Sequence, residues 1–334
     1  MNYLTDLLVK VYYMDKIKIL ITGASGFIGT NLLEKFINDG YSVLNIDINT
    51  PKNDRQVTYY MNIDITNLSK LKKSVIDFDP DYIVHLAART DLKGETLNEY
   101  SANTIGVRNI LDAANCLVNL RKIIIASSML VCGLGYKPEN IFDYHPTTVY
   151  GESKVITEQT IWGNQPNCDW AIIRPTSIWG EWFGSPYKDF FDMIIARKYF
   201  NISDKLCTKT YGYIGNTIFQ IERLLFTDTL ELDNKIFYLG DIPPNNIEEW
   251  ANEIAGFFNY KILTIPYWMI CIVARFGDML KKYNIPFPMT TFRLNNMTTD
   301  NEIDLSNIIS ITPDLPYTRK QGIQRTLEWI YSNK

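Results

Sequence analysis

The stretch GASGFIG at 23–29 constrains this chain more than any other part of its sequence. It follows a short β-branched run, Lys16-Ile17-Lys18-Ile19-Leu20-Ile21-Thr22. It precedes residues with helical spacing, Phe27, Ile28, Leu32, Leu33 and Phe36, which stop at Gly40. Glycine lets the backbone bend sharply and approach a phosphate, and a helix N-terminus offers free N–H groups and the positive end of its dipole. The spacing is G-x-x-G-x-x-G rather than the commoner G-x-G-x-x-G. Glycines alone also make ordinary turns. Their place at a strand-to-helix junction turns them into a dinucleotide loop. Gly23, Ser25, Gly26, Phe27, Ile28 and Gly29 are therefore read as cofactor-binding.

A second run, Ser42 to Ile46, ends at Asp47. A carboxylate there accepts hydrogen bonds from ribose hydroxyls and repels a 2′-phosphate, which favours NAD over NADP. Lys52 and Arg55 lie close enough to soften that preference. Asp64 and Ile65 follow a third run, Val57 to Met61. Ala87 and Ala88 follow a fourth, Tyr82 to Leu86, and their small side chains suit a dinucleotide passing close by; Leu86 is read with them as cofactor-binding. Asn103 lies inside a long helical pattern. Asn is a poor mid-helix residue, so a specific hydrogen-bonding task is expected of it, here toward the cofactor. His85 reads better as a satisfied structural histidine.

Helical patterns over 27–39, 66–78, 95–118 and 148–164 alternate with strands, including Lys122–Ala126 and Trp170–Ile173. Such alternation predicts βαβ units and a parallel sheet with helices on both faces. After about residue 176 the alternation fails, and aromatics, Gly and Pro become frequent. Residues 1–13 read as an appendage, 14–178 as the dinucleotide-binding domain and 179–334 as the substrate lobe, with a strand near 235–240 returning to the main sheet. Met14 is a possible alternative start.

Bulk properties exclude several classes. The net charge is −4, with no dense Lys/Arg block, which argues against nucleic acid as a partner. Five scattered cysteines, never spaced C-x-x-C, suit reduced thiols in the cytoplasm, and two histidines leave no His-rich metal site. The N-terminus lacks a signal-peptide pattern. The longest apolar run, 265–274, is too short to span a bilayer. It predicts a buried or substrate-covering helix, with a helix lying in a membrane surface as the other reading.

The chemical pair is Tyr150 and Lys154, in Tyr150-Gly151-Glu152-Ser153-Lys154 at the start of a helix. Residues i and i+4 share a helix face, so the ammonium lies beside the phenol and favours the phenolate. With 21 tyrosines in the chain the spacing itself proves nothing, and Tyr12/Lys16 repeats it. Position singles out Tyr150: it follows the dinucleotide loop, a strand and Ser127-Ser128. A hydroxyl after that strand can hydrogen-bond the substrate oxygen whose charge changes as hydride moves. Both serines also suit a plain turn.

Together these stretches resemble the extended branch of the short-chain dehydrogenase/reductase superfamily, the nucleotide-sugar epimerase/dehydratase group. The matching segments are GASGFIG, HLAA, NTIGVRNIL, SSMLVCG, PTTVYGESK and RPTSIWG, over roughly residues 17 to 180. The resemblance implies an α/β Rossmann fold, a doubly wound parallel sheet with a smaller C-terminal α/β substrate lobe. It also implies bound NAD, a nucleotide-sugar substrate and a homodimer paired through helices near 95–118 and 148–164. It selects Ser128, three residues before Val131, as the catalytic serine beside Tyr150 and Lys154. The family's usual Tyr is Cys132 here. Met129-Leu130 stands where its 4,6-dehydratases carry Asp-Glu, so dehydration lacks its acid and base. Farther on, YGYIGN (211–216) resembles a segment leading into a helix, Arg293 is a candidate partner for a diphosphate, and Arg174 reads as structural.

The expected activity is proton transfer by Tyr150 with hydride transfer at a sugar carbon, C4 by preference. Epimerase, 4-ketoreductase and dehydrogenase share this machinery. A dehydrogenase of an apolar, sterol-like alcohol is a further alternative, motivated by 265–274 and opposed by Arg293. A non-catalytic dinucleotide sensor is disfavoured because both Tyr150 and Lys154 are present.

Overall fold

The computed structural model describes residues 17–203, 205–227, 235–283, 285, 287 and 289–333. The expected appendage at 1–13, Met14 and the Tyr12/Lys16 pair lie outside them. The first elements are β1 (Lys18–Thr22), α1 (Phe27–Asn38), β2 (Ser42–Asp47), β3 (Tyr60–Asn62), α2 (Leu68–Phe78), β4 (Tyr82–His85), α3 (Ser101–Ala114), β5 (Lys122–Ala126), α4 (Val149–Gly163) and β6 (Asp169–Pro175). Then come β7 (Ser177–Trp179), α5 (Tyr187–Ile195), β8 (Phe200–Ser203), β9 (Thr208–Lys209), β10 (Tyr211–Tyr213), α6 (Ile214–Phe226), β11 (Ile236–Leu239), β12 (Asn245–Asn246), α7 (Ile247–Gly256), β13 (Leu263–Pro266), α8 (Tyr267–Lys282), α9 (Thr291–Thr298), α10 (Ser306–Ile311) and α11 (Arg319–Ser332).

Seven strands form one sheet in the order β11-β6-β5-β4-β1-β2-β3. The register is parallel from β3 through β6. Ile172 and Thr176 donate to the carbonyls of Lys235 and Leu239, so β6 and β11 advance in the same direction. The central strands are apolar on both faces, as in Ile123-Ile124-Ile125, because helices cover both sides of a parallel sheet. The fold is the doubly wound Rossmann type. Strand order reverses between β1 and β4, and such a reversal opens a crevice at the carboxyl ends of the strands.

The chain forms two interleaved compact units. The first takes residues up to Ser127, Thr148–Ile173 and Ile221–Ile236. The second takes Ser128–Thr147, Arg174–Gln220 and residues from Phe237 onward. The division therefore does not follow one cut near residue 178. The second unit is built around aromatic rings: Trp179, Phe190, Phe191, Tyr211, Tyr213 and Trp250 pack with ring centroids 4.8–5.8 Å apart.

Three local expectations change. Val57–Tyr59 belongs to a 3-10 turn, Asp54–Tyr59, and only Tyr60–Asn62 pairs with β2. The turn forms because Asn53 caps it and buried Gln56 donates to Thr30 O at 2.9 Å. The pattern at 95–118 is a 3-10 turn, Leu97–Tyr100, closed by a Thr96/Glu99 capping box, and then α3, which ends at Ala114. The run at 265–274 splits into β13 and α8, and only one side of α8 is buried, through Ile270, Ala274 and Gly277. Among the described residues no helix is long and apolar enough to cross a membrane.

Candidate active site

The glycine loop joins β1 to α1 at the strand-order reversal. Gly23 has φ +77°, and a Cβ there would lie 2.5 Å from the Ala87 nitrogen. Glycine is thus required both by the left-handed turn and by the close passage of the chain after β4. A Cβ on Gly29 would lie 2.4 Å from Gly23 O, so the third glycine lets the helix seat against the loop. Gly26 stands at the N-cap of α1 and, as a glycine, supplies no side-chain cap to its first turn. Phe27 and Ile28 form that first turn.

Asp47 ends β2 almost fully buried, and it holds the loop. Its carboxylate accepts from Ser25 N at 3.0 Å and Asn49 N at 2.9 Å. Asn45, which sequence reasoning passed over, completes the brace: its Oδ1 accepts from Ala24 N at 3.2 Å and its Nδ2 donates to Ser25 Oγ at 3.1 Å. Alternation along β2 is the signal that would have found it, since a buried Asn inside a strand needs partners. Arg55 is paired with Glu34 at 2.9 Å, while Lys52 is exposed.

Other predicted positions divide. Leu86 N donates to Thr22 O at 2.9 Å, and Ala87 N to Thr22 Oγ1 at 3.3 Å, so Leu86–Ala88 lies beside the loop. Asp64 is exposed and closes a local turn by accepting from Thr66 N at 2.8 Å. The Ile65 side chain is core, packed where Gly106 of α3 leaves room. His85 is buried with Nδ1 2.7 Å from Thr22 Oγ1. Burial, helped by the Lys154 charge, pushes its pKa down to about 3, so it is neutral and structural.

Asn103 does have a specific task. Its Nδ2 donates to Arg89 O at 3.0 Å and Ser153 Oγ at 2.9 Å, and its Oδ1 accepts from Arg89 N at 2.8 Å. Ser153 Oγ in turn donates to Tyr150 O at 2.6 Å, and Thr157 Oγ1 donates to Asn103 O at 2.7 Å. Asn103 therefore ties the segment after β4 to α3 and to the helix bearing Tyr150. Sequence reasoning did not identify Ser153 or Thr157, because small hydroxyls on a helix carry no distinctive pattern.

Tyr150 and Lys154 lie one turn apart in α4, which Thr148 caps through Gly151 N. Both are buried, and the Tyr150 ring lies 6.1 Å from that of Tyr100. Lys154 Nζ donates to Ala126 O at 2.8 Å, at the end of β5. Burial pulls its pKa down to about 8, against the opposing pull of Glu158 one turn on. The amine therefore stays mainly protonated at neutral pH. The chain continues through Ser127, whose buried Oγ has no hydrogen-bond partner among the described residues. Ser128 begins a short turn, and its Oγ accepts from Leu130 N at 3.1 Å.

In the second unit, Arg293 is exposed in the first turn of α9. Arg174 is buried, donating to Tyr238 Oη and Ile141 O at 2.9 Å each, as a structural arginine should. YGYIGN spans β10 and the start of α6, where Tyr213 N and Asn216 Nδ2 donate to the buried Asp241 carboxyl at 2.9 and 3.1 Å.

A glycine cradle at a strand-order reversal, a helix start led by glycine, a strand-end carboxylate and an orphaned buried hydroxyl together fit a dinucleotide. The chain belongs to the NAD dependent epimerase/dehydratase family, whose model matches residues 19–213. It is an NAD-dependent enzyme of the epimerase/oxidoreductase type. A relative from Escherichia coli O157:H7, named N-acetyl-alpha-D-glucosaminyl-diphospho-ditrans,octacis-undecaprenol 4-epimerase, is 27% identical over 94% of this chain and 95% of its own length. The UDP-glucose 4-epimerase of Thermotoga maritima, solved with UDP-glucose, superposes with a TM-score of 0.72 at 17% identity, covering 95% of this chain and 99% of that one. The Bordetella bronchiseptica enzyme WbmG, solved with NAD, gives a TM-score of 0.72 at 18% identity, covering 96% of each chain. At these identities the two solved structures speak for the fold.

Proposed function

We propose that the protein is a 4-epimerase of a sugar carried on a nucleoside diphosphate, with Ser128, Tyr150 and Lys154 as its chemical residues. The observation that carries this reading is the buried ammonium of Lys154, one helical turn from the Tyr150 phenol, in the same unit as the glycine loop. A cation in that position favours the phenolate and makes Tyr150 a usable base near neutral pH. Tyr150 removes the proton of the sugar hydroxyl and later returns it. Ser128 donates a hydrogen bond to the same oxygen. NAD, when bound, supplies the acceptor for the hydride that leaves the carbon and gives it back. Return to the opposite face of the ketone yields the epimer. Gly23, Ser25, Gly26, Phe27, Ile28, Gly29, Asp47, Asp64, Ile65 and Leu86–Ala88 are proposed to line the cofactor, with Asp47 selecting NAD over NADP. Asn103 is proposed to position the Tyr150 helix. Arg293 is proposed to hold the diphosphate. Met129-Leu130 leaves no acid pair for dehydration. A cytoplasmic homodimer completes the reading.

A second reading places the sugar on a polyprenyl diphosphate. It is favoured by the nearly full-length match to the relative named as an epimerase of a diphospho-undecaprenol-linked sugar.

Denaturing the purified protein should release NAD. UDP-, GDP-, dTDP- and CDP-sugars should then be assayed for stereochemical change without net cofactor reduction. Tyr150→Phe should lower kcat by roughly 10²–10⁴-fold while NAD stays bound. Net cofactor reduction would move the assignment to dehydrogenase. No turnover of any nucleotide sugar would remove the nucleotide carrier.

A further inference from the structure

Helix α8, in the second unit, is apolar on two opposite sides. Its inner side belongs to a buried cluster in which Ile270 and Ala274 meet Ile202 and Leu294. The contact is close. A Cβ on Gly277 would lie 1.8 Å from Met289 O, so the chain after the helix runs directly across this face. Asp278 accepts from Thr291 N at 3.1 Å and fixes the helix to the start of α9. The inner side is thus fully occupied.

Among the described residues the outer side has no such cover beyond the Phe287 ring, which meets Phe276 edge to face at 5.9 Å. Trp268 is 64% exposed, Ile272 60% and Phe276 50%, and Met269, Val273 and Met279 are exposed with them. At about 100° per residue these six positions fall within an arc of about 140°. They make one continuous stripe. The stripe continues past the helix into Tyr283, which is 73% exposed. A surface helix in water normally turns charged residues outward, and single exposed apolar residues are ordinary; a contiguous stripe headed by Trp is not. Exposed Arg275 and Lys282 fall just beyond one edge of the arc, whereas Lys281, in the last turn, lies on the side of Ile270 and Ala274. The only carboxylate on the helix, Asp278, is the one engaged by Thr291. The helix is therefore cationic on a chain whose net charge is −4.

We infer that α8 docks the protein onto an anionic lipid bilayer. Trp268, Ile272, Phe276 and Met279 enter the headgroup–acyl boundary, and Arg275 and Lys282 meet lipid phosphates. The chemistry matches a helix lying in a membrane surface: an apolar face with Trp and Phe, flanked by basic residues. A spanning role does not fit, because the opposite side is packed against protein. A protein partner would gain from the apolar stripe but would not require the basic edge. The inference is independent of which carrier the sugar has, since it uses no residue of the proposed reaction.

The test is co-sedimentation of the full chain with phosphatidylglycerol vesicles and with phosphatidylcholine vesicles. Wild-type protein should bind the anionic vesicles more tightly, with an affinity that falls as salt rises. Ile272→Glu/Phe276→Glu should weaken that binding about tenfold or more, with unchanged circular dichroism and unchanged NAD binding. Arg275→Glu/Lys282→Glu, which leaves the apolar stripe intact, should weaken binding to phosphatidylglycerol only. Brominated lipid should quench tryptophan emission of wild-type protein, and Trp268→Phe should remove most of that quenching. Failure of wild-type protein to bind either vesicle overturns the inference. Equal binding by the Ile272→Glu/Phe276→Glu protein overturns it too. So does self-association that this variant abolishes without any vesicle binding, which would assign the stripe to a second copy. NAD release and sugar turnover are read separately, so failure here leaves the proposed reaction standing, and the reverse holds.

Discussion

The two units solve the same burial problem with different materials. The first packs aliphatic strands, Ile19–Ile21, Ile83–Val84 and Ile123–Ile125, and threads hydrogen-bonded buried polar groups among them. Asp169 is an example: it receives Lys122 at 3.0 Å and Lys235 at 2.5 Å, all three nearly buried. The second packs tryptophan, tyrosine and phenylalanine, three of them (Trp179, Tyr211 and Tyr213) on one small two-stranded sheet. An aliphatic sheet has a period that can be read along the chain. An aromatic cluster is held by ring geometry between residues far apart in sequence.

The contrast can be broken most forcefully at Trp250, whose ring meets Trp179, Phe190, Phe191 and Tyr211. Trp250→Ala should cost about 3–5 kcal/mol in denaturant unfolding, because a fully buried aromatic leaves a cavity the cluster cannot close. A loss below about 1 kcal/mol would show that the rings do not form the core of that unit.

Asp169→Asn tests the polar ties of the first unit. It leaves two buried ammonium groups without their shared partner and should cost about 3 kcal/mol at pH 7. Burial resists ionisation of Asp169, but hydrogen bonds and charge from Lys235 and Lys122 outweigh it and hold the carboxyl below its ordinary range. Its contribution is therefore full above the unfolded value and fades as pH falls through the folded one. Equal acid stability in Asp169→Asn and wild-type protein would dissociate the triad from that behaviour.

The smallest effect has the opposite sign. Burial pushes the Asp241 pKa up to about 7, against the donated bonds from Tyr213 and Asn216. The folded chain keeps a proton that the unfolded chain releases above about pH 4. Stability from this group is full below that value and falls as pH rises toward 7, by up to about 1.4 kcal/mol per pH unit. Asp241→Asn should flatten unfolding free energy across that window. If the slope between pH 4 and 7 survives in the variant, another group is responsible.

Legibility followed the same division. Lys122–Ala126 is a strand with the bounds its sequence suggests, because a short β-branched run buried on both faces has no other stable use. The glycine loop and the Tyr150 helix stand where their spacing places them, since turn and capping chemistry act within a few residues. Val57–Tyr59 misleads for the converse reason. Its residues favour a strand, yet the bonds of Asn53 and Gln56 close a 3-10 turn first. Asn103 announced a hydrogen-bonding task, but its partners, Arg89 and Ser153, lie 14 and 50 residues away and no local pattern names them.

The sequence by itself determined the sheet's central strands, the glycine turn, the strand-end carboxylate and the Tyr–Lys pair, because each depends on interactions within one turn or one strand. Only the tertiary structure decided that Asn45 and Asp47 brace the loop, that Lys154 is buried against Ala126, and that α8 keeps an apolar side for which the core has no room. These outcomes depend on which surfaces other segments cover. Hydrophobicity along a chain records that a side chain avoids water, and packing alone decides what takes the water's place.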